Sequence, residues 1–422
     1  DLYEVFTNSF TFDFMGKEMT MEEASSHVHS ESPKEREEAY KTLLGKFKEN
    51  STVLSEIYKN IVLDWYNEDI KIRNHKTPIS VRNYYNDLDD STVKTMLEVV
   101  RENSNLYQEY FKLKYDIMQR NGNNYPFSRY HLYAPYRSAS KEYDYETSKK
   151  IVLETYREFD ERFFQAANKI WEKKHVHSHP VKNKRSGAFS FGVYNKETPY
   201  IMLNHTNKLR DLFVMMHEMG HGIHDCLASN QVDLLFHTTL PMAETASVFS
   251  EKLLSHKLKE AGDKEEKIAI LMYLLDSQYA TIMRQSYFVF FEQIAHDMIL
   301  KGATKEEIDK EYMKLLKEQF GGMEVPDDFK GEWHYISHFH FAPFYCYAYA
   351  WGNLFVLSLY AMYKEQGKDF IEKYVEMLSQ GGGKKPSELM AIMGIDPNAK
   401  GFWQKGFDII KEEINELIEL TS

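Results

Sequence analysis

Cysteine is nearly absent. Cys226 and Cys346 are the only two in 422 residues, far apart and without a paired metal-binding spacing, so neither a disulfide framework nor a cysteine-based structural metal site is expected. A reducing, cytoplasmic setting fits such a chain. Positive charge is also short: 52 Lys and Arg face 64 Asp and Glu, and the formal charge of −12 argues against phosphate-backbone binding, so nucleic acid is not an expected partner. Long uncharged apolar runs are missing. The most apolar stretch, around Ile336 to Tyr360, carries His338, His340, Pro343 and Asn353 and reads as a buried helix or channel wall, so no membrane partner is expected. No secretory-type segment opens the sequence as given, and no internal repeat or low-complexity linker interrupts it. Gly381-Gly-Gly-Lys384 lacks the spacing and the Ser or Thr of a phosphate loop and reads as a turn or hinge.

What remains is an ordinary globular composition. Hydrophobic residues make up 43%, enough to build a sizeable core over this length. Most segments repeat their apolar residues at helical spacing. Ser32 to Lys48 and Val93 to Tyr115 read as amphipathic helices, and Thr304-Lys-Glu-Glu307 is a capping box opening a helix through Gln319. The exception is Gly187 to Leu203, where Ala188–Tyr194 and Tyr200–Leu203 read as a small hairpin around a charged, Pro-containing turn. An edge strand of that kind can bind extended peptide through its backbone, so Gly187 to Ser190 is a candidate substrate rest. His175, His177 and His179 alternate along an extended segment and read as surface histidines, a metal site being the alternative.

The chemistry concentrates at His217-Glu-Met-Gly-His221. Leu209, Leu212, Phe213, Met216, Gly220, Ile223 and Leu227 form a buried stripe, so the motif lies on a helix. Residues i and i+4 stack one turn apart, which lets two imidazoles reach one zinc ion at roughly 2.0–2.1 Å. Glu218 between them is the candidate general base. Gly220 and Gly222 each cost helix stability by about 1 kcal/mol relative to alanine, which points to close packing there.

A third ligand is needed. His224 lies about 10 Å along the axis from His217, too far to share an ion with both motif histidines, and it reads as a packing or supporting residue. The pattern that takes its third histidine after a glycine turn would need Gly and His where this chain has His224 and Leu227. Glu244 remains, in Pro241-Met-Ala-Glu-Thr-Ala-Ser-Val-Phe-Ser-Glu251, where Pro241 suits a helix start. Two His and one Glu leave a fourth position open. Glu251, two turns on, either orients a ligand histidine or joins a solvated face.

The run Lys184-Arg-Ser-Gly-Ala-Phe-Ser190, the motif His217–His221 and Ala243-Glu-Thr-Ala-Ser247 together resemble the oligoendopeptidase F branch of the thimet-oligopeptidase-like zinc metallopeptidases. The resemblance extends through His338-Phe-His-Phe-Ala-Pro-Phe-Tyr-Cys-Tyr-Ala-Tyr349, Ser379-Gln-Gly-Gly-Gly383 and Phe402-Trp403. It implies a mainly α, zincin-type fold with a deep substrate channel and a small hairpin or sheet beside the zinc helix. Residues 1–70 would be an N-terminal helical segment and 71–422 the zinc peptidase domain. One zinc per chain would be held by His217, His221 and Glu244, with Glu218 as base. His338 and one of Tyr345, Tyr347 and Tyr349 would stabilise the transition state, with Tyr347 the chosen tyrosine by block position. Two departures stand out: relatives usually carry a further helical portion before the residue matching Asp1, and His340 stands where a tyrosine is common.

The expected activity is zinc-dependent hydrolysis of internal bonds in oligopeptides. The alternatives are a zinc carboxypeptidase on a related scaffold and a non-catalytic, zinc-stabilised peptide-binding protein. Glu218 argues against the last, because a structural zinc site needs no base. Oligomeric state is not expressed in the sequence.

Overall fold

A computed structural model describes residues 2–136 and 141–422; Asp1, where the N-terminal segment begins, lies outside them. Helices dominate because start signals and apolar stripes recur along the chain. Ser32 accepts the Glu35 N–H and Pro33 occupies the first turn, so helix Pro33–Glu49 begins there and buries Ala39, Leu43 and Phe47. Thr304 and Glu307 cap each other reciprocally ahead of Lys305–Phe320. The single helix expected from Val93 to Tyr115 is instead two, Asp90–Glu102 and Ser104–Arg120. Asn103 separates them: its side-chain amide donates to the Val99 carbonyl at 2.9 Å and to Gln404 Oε1 at 2.8 Å. Such side-chain bonds compete with the helical ladder.

A main hydrophobic core runs through the described residues, taking in Tyr3, Phe12 and Phe47 near the start and Trp333, Trp351 and Trp403 further on, beside a small separate cluster of Met118, Tyr125 and Ala134. The Tyr3 hydroxyl donates to the His334 carbonyl at 2.9 Å, and its ring stacks on His340 with centroids 3.9 Å apart. The apolar stretch after Ile336 forms a short helix, His338–Phe341, and then the buried helix Tyr347–Gln366. Among the described residues no helix is long and apolar enough to cross a membrane.

The expected hairpin is present as Phe189–Phe191 paired antiparallel with Tyr200–Met202, Ser190 standing opposite Ile201. A third strand, Val176–His177, adds to it in parallel. That pairing joins segments distant in sequence, so no turn signal announced it. Ile201 and Met202 are buried, while Phe189–Phe191 lies at an edge of the sheet.

Candidate active site and metal centre

The motif helix spans Leu209–Leu227. Asp211 starts it by accepting the Thr206 and Lys208 backbone N–H groups at 2.7 and 3.1 Å. Its apolar stripe is buried at Leu212, Phe213, Met216, Gly220 and Ile223, which leaves His217 and His221 half-buried at its flank. A Cβ at Gly220 would lie 2.6 Å from Ser247 Cα and 2.8 Å from the Ala246 carbonyl oxygen, so the glycine lets helix Thr245–Ala261 lie directly against the motif. Gly222 makes room for Ile170 in the same way, at 2.8 Å. Pro241 starts a short turn, Leu240–Ala243, and Glu244 sits at its junction with Thr245–Ala261.

Three donors converge as a result. His217 Nε2 and His221 Nε2 are 3.2 Å apart and stand 3.3 and 3.4 Å from Glu244 Oε2. Ligands at zinc distances in a tetrahedral array are about 3.4 Å from one another, so the spacing fits one such ion. Among the described residues this is the one cluster of His, Cys, Asp or Glu that could hold a metal. Ser247 Oγ donates to Glu244 Oε2 at 2.7 Å, a support absent from the sequence reading although Ser247 follows Glu244 by three. Glu251 is 2.5 Å from His217 Nδ1, which commits Nε2 of that ring to the cluster.

The electrostatics favour a cation. Burial opposes protonation of His217, but hydrogen bonds to Glu244 and Glu251 outweigh it and hold the imidazole well above its ordinary value. The same bonds and the two histidines overcome the burial of Glu244 and hold its carboxyl down at about 2. His221 is pushed down to about 4 by burial despite Glu244. Burial pushes Glu218 up to about 7, tempered by His217, so its carboxyl is poised to exchange a proton near neutrality.

These groups line a cleft of about 490 Å³, walled by Phe189, Ser190 and Phe191 on one side and by His237, Thr238 and Ala243 on the other. His224 is buried and also borders it. The other predicted residues are placed differently. Tyr347 is fully buried and its hydroxyl accepts from Asn86 Nδ2 at 2.8 Å, so it points into the core; Tyr347, His338 and Tyr349 all fall outside the residues lining the cleft. Tyr349 is half-buried, lies within the electrostatic reach of Glu244, and its hydroxyl is 3.2 Å from His338 Nε2. The structure thus brings His338 together with Tyr349 rather than Tyr347. His340 is buried with Nδ1 3.2 Å from the Ile336 carbonyl. Among the described residues the alternating histidines form no metal cluster: His175 Nδ1 is 2.9 Å from the Thr198 carbonyl and stacks on Tyr200, and His179 Nδ1 meets Ser178 Oγ at 2.7 Å.

Known proteins of this build carry the same architecture. The chain is 29% identical over 400 residues to an oligoendopeptidase F homolog of Borreliella burgdorferi, covering 92% of this chain and 66% of that one. It is 25% identical to the chromosomal oligoendopeptidase F of Lactococcus lactis subsp. cremoris, covering 99% of this chain and 70% of that one. It therefore spans about two-thirds of the length of these curated relatives. The crystal structure of a peptidase from Chlamydophila abortus superimposes with a TM-score of 0.89 at 25% identity, covering 99% of this chain and 71% of that chain. Oligoendopeptidase F from Enterococcus faecium shares the fold, with a TM-score of 0.75 at 22% identity, covering 100% of this chain and 71% of that one. The model of Peptidase family M3 matches residues 26–409, and the chain belongs to that family.

Proposed function

We propose that this chain is a zinc-dependent endopeptidase acting on internal bonds of oligopeptides. The observation that carries the reading is the convergence of His217 Nε2, His221 Nε2 and Glu244 Oε2 beside Glu218 in an open cleft. One zinc would be held by those three residues. When bound, zinc supplies Lewis acidity, which acidifies a coordinated water and polarises the scissile carbonyl. Glu218 takes up the proton and delivers it to the leaving amine, a role suited to a carboxyl raised to about 7. Glu251 holds His217 in the ligating tautomer. Tyr349 and His338, paired at 3.2 Å, are the donors available to the developing oxyanion. The edge strand Phe189–Phe191, whose Ser190 backbone reaches Glu218, supports alignment of an extended substrate beside the base. The same reading takes residues 1–70 as a helical segment packed on a peptidase domain of 71–422, and a cytoplasmic setting is supported by two free cysteines.

Glu218→Gln tests the assignment. It should retain stoichiometric zinc by elemental analysis while peptide turnover falls to background, and substantial residual turnover would refute Glu218 as the base.

A further inference from the structure

Beyond the three metal donors and Glu218 the cleft holds one more carboxylate. Asp225 stands four residues after His221, one turn further along the motif helix, and borders the cleft with His224, His237, Phe189 and Phe191. The other acids nearby are engaged. Glu244 takes Ser247 and the two histidines, Glu251 holds His217, and Glu218 is bonded by the Ser190 backbone. Asp225 has no hydrogen-bond or ionic partner among the described residues, and burial alone pushes its carboxyl up to about 7.

The surroundings are shaped to leave it so. A Cβ at Gly192 would lie 2.9 Å from Asp225 Cγ and 2.9 Å from Phe236 Cε1, so glycine lets the end of the edge strand lie over the carboxylate. Among the described residues no lysine or arginine lines the cleft, and the chain as a whole carries a formal charge of −12. Phe189 and Phe191 are 39% and 58% exposed and alternate onto one side of their strand, beside the carboxylate. Rings of that kind suit an alkyl stem ending in a cation. A carboxylate withdrawn from water is costly unless a positive group meets it, and here the described residues supply none.

We infer that Asp225 is a specificity residue, receiving the cationic head of a lysine or arginine side chain in the bound peptide. The cleft then selects oligopeptides that carry a basic residue at one fixed position relative to the cut bond. This rests on the peptidase reading above and adds a substrate class to it.

The test uses the zinc-loaded full chain and a set of equal-length neutral peptides through which one lysine is walked, with products and rates read by mass spectrometry. The wild type should favour lysine at one position by about tenfold or more in kcat/KM, the scale of a charge-assisted contact. Asp225→Asn should flatten that preference, and Asp225→Lys should move it to glutamate at the same position. Should Asp225→Asn fail to fold by circular dichroism, Asp225→Ser takes its place. Lysine preference unchanged in the variants, or none in the wild type, overturns the inference while leaving the peptidase reading intact. If no peptide is cut, the peptidase reading fails, and fluorescence anisotropy with the same labelled peptides still decides on Asp225. Lysine peptides should then bind the wild type more tightly than Asp225→Asn, and equal binding would overturn it.

Discussion

At the scale of single residues, Tyr347 and Tyr349 part company: the Tyr347 hydroxyl meets Asn86 and the Tyr349 hydroxyl meets His338. Both lie at the start of helix Tyr347–Gln366, where two residues turn the side chain by about 200°, so the two point to opposite sides. Sequence position could not show this, because the helix start follows Phe344, a non-glycine residue at φ 57° that redirects the chain. Tyr349→Phe should lower kcat on the order of 10²-fold, as loss of an oxyanion donor does, with zinc content unchanged. Tyr347→Phe should leave kcat near wild type but cost about 1 kcal/mol in urea unfolding, since Asn86 loses its buried partner. Equal kinetic effects of the two would reverse the assignment. His217, Glu218 and His221 were legible because their spacing is itself the signal. Glu244 was legible through exclusion of other ligands, whereas the support from Ser247 and the free carboxylate of Asp225 depend on packing that no spacing records.

At the scale of elements, the site exists because two helices approach more closely than side chains usually allow. Gly220 faces the backbone of Ser247, whose hydroxyl bonds Glu244, so anything larger must shift that support and with it the glutamate. Alanine is the better helix former by about 1 kcal/mol, yet Gly220→Ala should destabilise the protein by roughly 1–3 kcal/mol through overpacking. It should weaken zinc binding as well. Denaturant unfolding with a parallel zinc titration reads both, and a stabilised variant with unaltered affinity would contradict the packing argument. The two glycines in a helix hinted at this approach. Helix Pro33–Glu49, the capping box at Thr304 and the hairpin were equally readable, because each is built from local signals. The break at Asn103 and the parallel strand Val176–His177 were not, since both depend on partners remote in sequence.

At the scale of the whole molecule, the core joins the first helices to the segment bearing His338 and Tyr349, and one buried acid marks that junction. Glu292 is fully buried and accepts the Phe344 N–H at 2.7 Å, and burial pushes its carboxyl up to about 8. Arg82, from helix Pro78–Tyr85, holds the neighbouring Pro343 carbonyl at 3.1 Å. Because the folded protein binds this proton more tightly than the unfolded chain, Glu292 favours folding at acid pH. That contribution is lost as pH rises from the ordinary carboxylate value, near 4.5, through about 8. In urea unfolding across this window, Glu292→Gln should therefore change the slope of stability with pH, sparing a loss on the order of a few kcal/mol relative to wild type. An unchanged slope would exclude Glu292 as its source. The broad architecture, mainly helical with a small sheet beside the motif helix, was available from periodicity and resemblance; the convergence of groups from distant segments was not. The most direct measurement of the central claim is mass spectrometry of an internally quenched oligopeptide incubated with the purified chain, before and after chelation and again after zinc is restored. Internal cleavage that disappears with the chelator and returns with zinc is the predicted result. No cleavage by protein holding one zinc per chain, or cleavage indifferent to chelation after the metal has been removed, would contradict it.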